Sequence, residues 1–181
     1  MIFKDFLDTI SYFYYPKGKS VFDIDYNRTI ETKRYLEKVH FNYINNQEFI
    51  LFLNHLNKKI NPLLAIEFKM GTTPSFNCQI TLKLDDSKIK VLSIYISHLI
   101  PFFHLCQLEG DFCNRTVSLI EAYSSEEVKL IDSVKTEITN MLFFYEFPRD
   151  FLLNKIPDLK EEEKFTYLNA FFTDHYRILN F

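Results

Sequence analysis

Tryptophan is absent from these 181 residues, and they hold only 3 glycines and 6 prolines. So few chain breakers exclude long flexible linkers and low-complexity tails. Cysteine is scarce too. Cys78, Cys106 and Cys113 are odd in number and lack paired spacing, which excludes the disulfide framework of a small secreted domain. No excess of basic charge exists: 21 Lys and Arg stand against 24 Asp and Glu, a net charge of −3, so the basic face of a general nucleic-acid binder is not expected. Nor is there an uninterrupted apolar span. The most apolar stretch, Ile89 to Leu108, is broken by Lys90, His98, Pro101, His104 and Gln107, which argues against a bilayer-crossing helix. Asp5 and Asp8 likewise interrupt the N-terminal run that a secretory signal would need. These absences together predict a cytoplasmic chain with reduced thiols, no nucleic-acid partner and no membrane.

What the chain has in abundance is aromatic surface, with 20 Phe and 11 Tyr. Each buried ring removes a large area from water, so a Phe-rich core follows. The length suits a single domain over residues 1–181, which can bury about 70% of its unfolded surface without a disulfide or metal staple.

Periodicity predicts an α+β fold. Asn27–Phe41 places Ile30, Tyr35, Leu36 and Val39 among charged residues in a helical pattern. Asn45 and Glu48 have the spacing of a capping box, and Phe49, Ile50, Leu53, Leu56 and Ile60 follow at helical intervals up to Asn61-Pro62. The middle alternates. Phe76, Cys78, Ile80, Leu82 and Leu84 are interleaved with polar residues, and Asp85-Asp86-Ser87 reads as a hairpin turn. Lys88–His98 is apolar on both faces, the mark of a central strand. Leu63–Met70 is expected as the strand before this pair and Phe102–Glu109 as the strand after, closed by Gly110-Asp111. These make a four-stranded antiparallel meander over about residues 62–110, packed by the N-terminal helices and a long helix over about 125–145. That helix opens on the capping-box pair Ser124 and Glu127, carries Val128, Ile131, Val134, Ile138, Met141 and Leu142 on one stripe, and should stop near Pro148. Phe165–Phe172 fits helix or strand, with a lean to strand.

No complete chemical motif emerges. Gly18-Lys19-Ser20 resembles the end of a phosphate-binding loop, but Phe13 stands where the first glycine belongs. Asp23, Asp25 and Asn27 copy the start of a calcium loop, yet Arg28 and Arg34 occupy the positions of its glycine and bidentate glutamate. His98, His104, Cys106 and Cys113 lie close in sequence without zinc-site spacing, and ordinary packing of small apolar thiols is the simpler reading. No cofactor, metal or catalytic residue is therefore assigned. Two aromatic runs remain, Tyr12–Tyr15 and Phe143–Phe147, in which consecutive rings cannot all face one core. Some must lie at the surface, where tyrosine favours interfaces. An acidic stretch, Glu161-Glu162-Glu163, suits encounter with a basic partner. The interface candidates are Tyr14, Tyr15, Asp158, Glu161, Glu162 and Glu163.

Tyr15-Pro16-Lys17, Thr29-x-Glu31-x-x-Arg34, Lys155-Ile156-Pro157 and the run Phe165 to Asp174 resemble small orphan immunity proteins of bacterial toxin systems. The resemblance touches both ends of the chain and carries over no functional residue. It implies a cytoplasmic protein that binds and blocks one cognate toxin. Two other expectations stand beside it. One is a structural or assembly subunit. The other is a small enzyme whose site converges from distant segments, with His104, Cys106 and Glu109 as its candidate residues.

Overall fold

A computed structural model describes residues 2–19, 23–60, 66–69, 73–111, 113, 116–159 and 165–173. Helices α1 (Ile2–Tyr14), α2 (Ile30–Ile44) and α3 (Gln47–Lys59) precede five strands, β1 (Ile66–Lys69), β2 (Ser75–Leu84), β3 (Lys88–Ser97), β4 (Phe102–Asp111) and β5 (Thr116–Ile120). Then come α4 (Ser125–Leu142), the two-residue β6 (Tyr145–Glu146), and the short helices α5 (Arg149–Leu152) and α6 (Tyr167–Phe171). The five strands pair antiparallel in chain order, and β6 joins β4 in parallel, matching Tyr145 to Phe102 and Glu146 to Phe103.

The α+β class and the antiparallel meander are as the alternation requires. The turn after β2 is closed by Asp85, whose Oδ1 accepts from the backbone N–H of Ser87 and Lys88 at 3.1 and 2.7 Å. β3 is central, between β2 and β4. The sheet holds two strands more than the alternation indicated, β5 and β6. Gly110 and Asp111 belong to β4, which pairs onward with β5. The remainder of the predicted first strand, residues 63–65 and 70, lies outside the described residues.

The capping-box prediction for α4 is met on both sides: Glu127 N donates to Ser124 Oγ at 3.2 Å, and Ser124 N donates to Glu127 Oε2 at 2.8 Å. That helix ends earlier than Pro148. Phe143 takes a left-handed conformation, φ 59°, and closes it after Leu142. The predicted Asn45 cap of α3 is corrected. Asn46 is the N-cap residue, and the Asn45 amide instead donates to Phe41 O at 2.8 Å, finishing α2. The lean to strand in the tail is corrected as well. Thr166 and Asn169 form a capping box, and the segment turns into α6.

One sheet serves two large cores and a small third cluster of Val91, Cys106 and Leu108. On one face Cys78, Ile80, Leu92, Ile94, Ile96, Phe103 and Leu105 pack under Phe52, Leu56 and Ile60 of the α3 end and Ile131, Val134, Ile138 and Leu142 of α4. Fastening those two helices together, Glu137 of α4 accepts from Lys59 and His55 of α3. The second core gathers around Leu99 and Ile100 in the β3–β4 turn, with Leu7 and Tyr15 from the α1 region, Val39 of α2, Phe147, Leu152 and the α6 side chains. No helix among the described residues is long and apolar enough to cross a membrane.

Candidate functional site

Side chains alternate along a strand, so His104 and Cys106 share one face of β4. Both are buried. The His104 ring stacks on Tyr95 at 6.2 Å and meets Phe172 at 5.9 Å. Burial, and then the nearby Arg149 cation, holds its pKa down at about 4. Burial pushes the Cys106 thiol up to about 12 despite the same arginine. The imidazole is thus a poor base and the thiol is protonated, the reverse of an activated nucleophile pair. Glu109 points to the opposite face and is ion-paired to Lys88 at 2.7 Å, so the three candidate enzyme residues do not converge.

The other sequence motifs resolve into local structure. Gly18 has φ 69°, and its N–H donates to Asp158 O at 2.7 Å, which makes it a turn residue. Asp25 is ion-paired to Lys19, and Asp23 O accepts from Tyr26 N at 3.0 Å in the turn that leads into α2. His98 is buried against Phe49, at 6.1 Å, with its pKa lowered to about 4 by burial and then by Lys38. Cys113 is exposed. Among the described residues no three His, Cys, Asp or Glu side chains are placed to hold a metal ion.

The interface candidates separate. Tyr15 is 9% exposed, with its ring between Tyr35 and Phe165 and its hydroxyl donating to Ala170 O at 2.6 Å, so it belongs to the second core. Tyr14 is half-buried against Phe13. Asp158 is exposed in a left-handed turn at φ 61°. Beside it the Tyr12 hydroxyl donates to Pro157 O at 3.0 Å, and Lys17 sits over the Tyr12 ring at 3.5 Å. Arg34 covers the Phe13 ring at 4.3 Å. At this end of α1 the chain's own cations therefore already occupy the aromatic faces. Glu161, Glu162 and Glu163 lie outside the described residues.

The other end of α1 is different. Ile2, Phe6 and Thr9 recur at helical spacing on the side opposite the buried Leu7 and Ser11. Ile2 is 88% exposed and Phe6 42%. From Phe6 the rings run on without a break: Phe3 at 6.3 Å, then Phe102 at 5.8 Å, then Tyr145 at 6.5 Å. Tyr145 is 63% exposed, and two positions before it in the chain Phe143 is 78% exposed. A bulky residue with positive φ is an outlier, because its Cβ crowds the backbone and glycine normally takes that position. Here the strained position holds a phenylalanine with its ring in water. Such strain, at a cost of about 1–3 kcal/mol, collects at functional positions.

The result is an unbroken row of rings from Phe6 and Phe3 of α1 through Phe102 at the start of β4 to Tyr145 of β6, with the exposed Ile2 and Phe143 near its two ends in the chain. The run Phe143–Phe147 signalled part of it, but no spacing in the sequence linked that run to Ile2 and Phe6. In comparisons with known proteins, no family model, curated protein or solved structure matches this chain.

Proposed function

We propose that this protein is a binding module that blocks a cognate toxin by covering part of its surface. The observation that supports the binding half of this reading is Phe143, a solvent-exposed ring held in a left-handed backbone two positions before Tyr145, where the row of rings ends. Exposed contiguous rings mark interfaces, and aromatic anchors carry most of the binding energy where they fill a partner's pocket. Tyr145, Phe6 and Ile2 supply the neighbouring apolar area. The toxin half rests on the sequence resemblance alone. A cytoplasmic site of action is supported by three free thiols, one of them exposed, which a reducing compartment preserves.

The test is co-expression with the product of the neighbouring gene. That product should arrest growth alone and should be harmless beside the wild-type chain. Phe143→Asp/Tyr145→Asp should lose protection while keeping the wild-type circular dichroism spectrum. A neighbouring product that is harmless by itself, or full protection by the double variant, contradicts the reading.

A further inference from the structure

We infer that the end of α4 is a two-state hinge: α4 either stops at Leu142 with β6 paired to β4, or runs on through Glu146 with β6 released. The described state is the first, and its backbone is strained at Phe143, where φ is 59° and ψ 33°. A side chain with a Cβ resists that conformation, which glycine takes freely. Nothing in the local sequence demands a stop there. Residues 143–147 hold no glycine or proline. Tyr145 falls three positions after Leu142, in line with the buried stripe of Ile131, Val134, Ile138 and Leu142. The first residue that opposes helix is Phe147, because Pro148 follows it.

What holds the stop is tertiary. β6 is only two residues long; the Tyr145 N–H donates to Pro101 O at 3.1 Å and the Phe147 N–H to Phe103 O at 2.8 Å. Lys135 Nζ lies 2.8 Å from Glu146 Oε2. That ion pair belongs to the paired state alone, because a continuous helix would set the two residues about 16 Å apart along its axis. The Phe147 ring is fully buried in the second core. Winding Tyr145 and Glu146 into helix shortens the chain by about 4 Å, so the released state draws Phe147 out of its site. That cost makes it the minor state, on the order of 1% of molecules. In it Tyr145 leaves Phe102 and the row of rings is interrupted, so a partner that grips the whole row selects the paired state. The hinge itself does not depend on that partner's identity.

Relaxation-dispersion and saturation-transfer NMR on the isotope-labelled full chain test it, since both read minor states that exchange in microseconds to milliseconds. The wild type should show exchange across Phe143–Glu146, with minor-state Cα shifts in the helical range. Phe143→Gly should lower the minor population about tenfold, because glycine relaxes the left-handed position and disfavours helix. Phe143→Ala should raise it about twofold, since alanine keeps the strain and favours helix. The Phe143 ring is 78% exposed, so neither change opens a core. Glu146→Gln should also raise it about twofold by removing the ion pair. Flat profiles across Phe143–Glu146 in the wild type overturn the inference. So do minor-state shifts outside the helical range, or Phe143→Gly and Phe143→Ala changes that move the population in the same direction.

Discussion

The two cores on either side of this sheet are built by different means. Under α3 and α4 the side chains are mostly aliphatic and come from long regular elements, with Leu92, Ile94 and Ile96 meeting Ile131, Val134 and Ile138. Around α1, α5 and α6 the packing is mostly ring on ring. Phe147 is fully buried and lies within 6.5 Å of Phe3, Phe102, Tyr167, Phe171 and Phe172. Two of its helices, α5 and α6, are only 4 and 5 residues long and have little stability of their own. Side chains take over the task of the missing backbone ladder. Tyr15 donates to Ala170 O and Ser75 to Phe172 O, while Tyr167 donates to Asp8; burial, and then that bond, raises the tyrosine's pKa. Regular backbone tolerates interchangeable aliphatic fillers; irregular backbone depends on particular rings and hydroxyls.

The largest expected effect follows from that dependence. Phe147→Ala should cost about 4 kcal/mol, and Ile94→Ala in the aliphatic core about 3. Urea unfolding measures both. An Ile94 variant less stable than the Phe147 variant would erase the contrast.

Acid should separate the two regions next. His98 and His104 stay neutral in the fold, with pKa about 4, against roughly 6.5 in the unfolded chain. The unfolded chain binds the extra protons, so stability is full above about pH 6.5 and falls as the pH drops to about 4. Each histidine accounts for on the order of 3 kcal/mol of that loss. The neighbouring cations, Lys38 for His98 and Arg149 for His104, act in the same direction as burial. Because His104 abuts Phe172, hydrogen exchange at pH 5 should rise in α6 before α4. Equal rises in both helices would contradict this.

A stabilising change is expected at Gln107. It is fully buried between Leu92 and Ile120, and neither amide atom finds a partner among the described residues. Gln107→Leu should raise stability by about 1–2 kcal/mol in thermal unfolding, since the orphaned amide is removed. Lower stability would show that the amide is satisfied. The smallest effect belongs to Tyr15→Phe, which removes one buried hydrogen bond and should cost about 1 kcal/mol. An unchanged melting point would mean that this hydroxyl does not fasten α6.

The aliphatic core was also the legible one. Period-two alternation located β2, apolar residues on both faces marked β3 as central, and Ser124 with Glu127 located the start of α4, because local spacing alone sets those features. The aromatic core escaped for physical reasons. Tyr15 is buried through a contact 155 positions away at Ala170, which no local pattern encodes. The tail Phe165–Phe172 is apolar all round, so its period was ambiguous, although Thr166 and Asn169 carried a cap signal. The short β5 alternates weakly, and β6 exists only because Pro101 and Phe103 offer carbonyls to Tyr145 and Phe147. Of the candidate surface, only consecutive aromatics hinted at Phe143 and Tyr145. A left-handed phenylalanine violates the glycine preference on which sequence reading relies.

Titration of the partner against the wild-type chain and against Phe143→Ser/Tyr145→Ser tests the central claim, that this protein works through its exposed rings. The account predicts affinity at least about 30-fold weaker for the variant, with an unchanged fold. Equal affinities would place the binding surface elsewhere and contradict it.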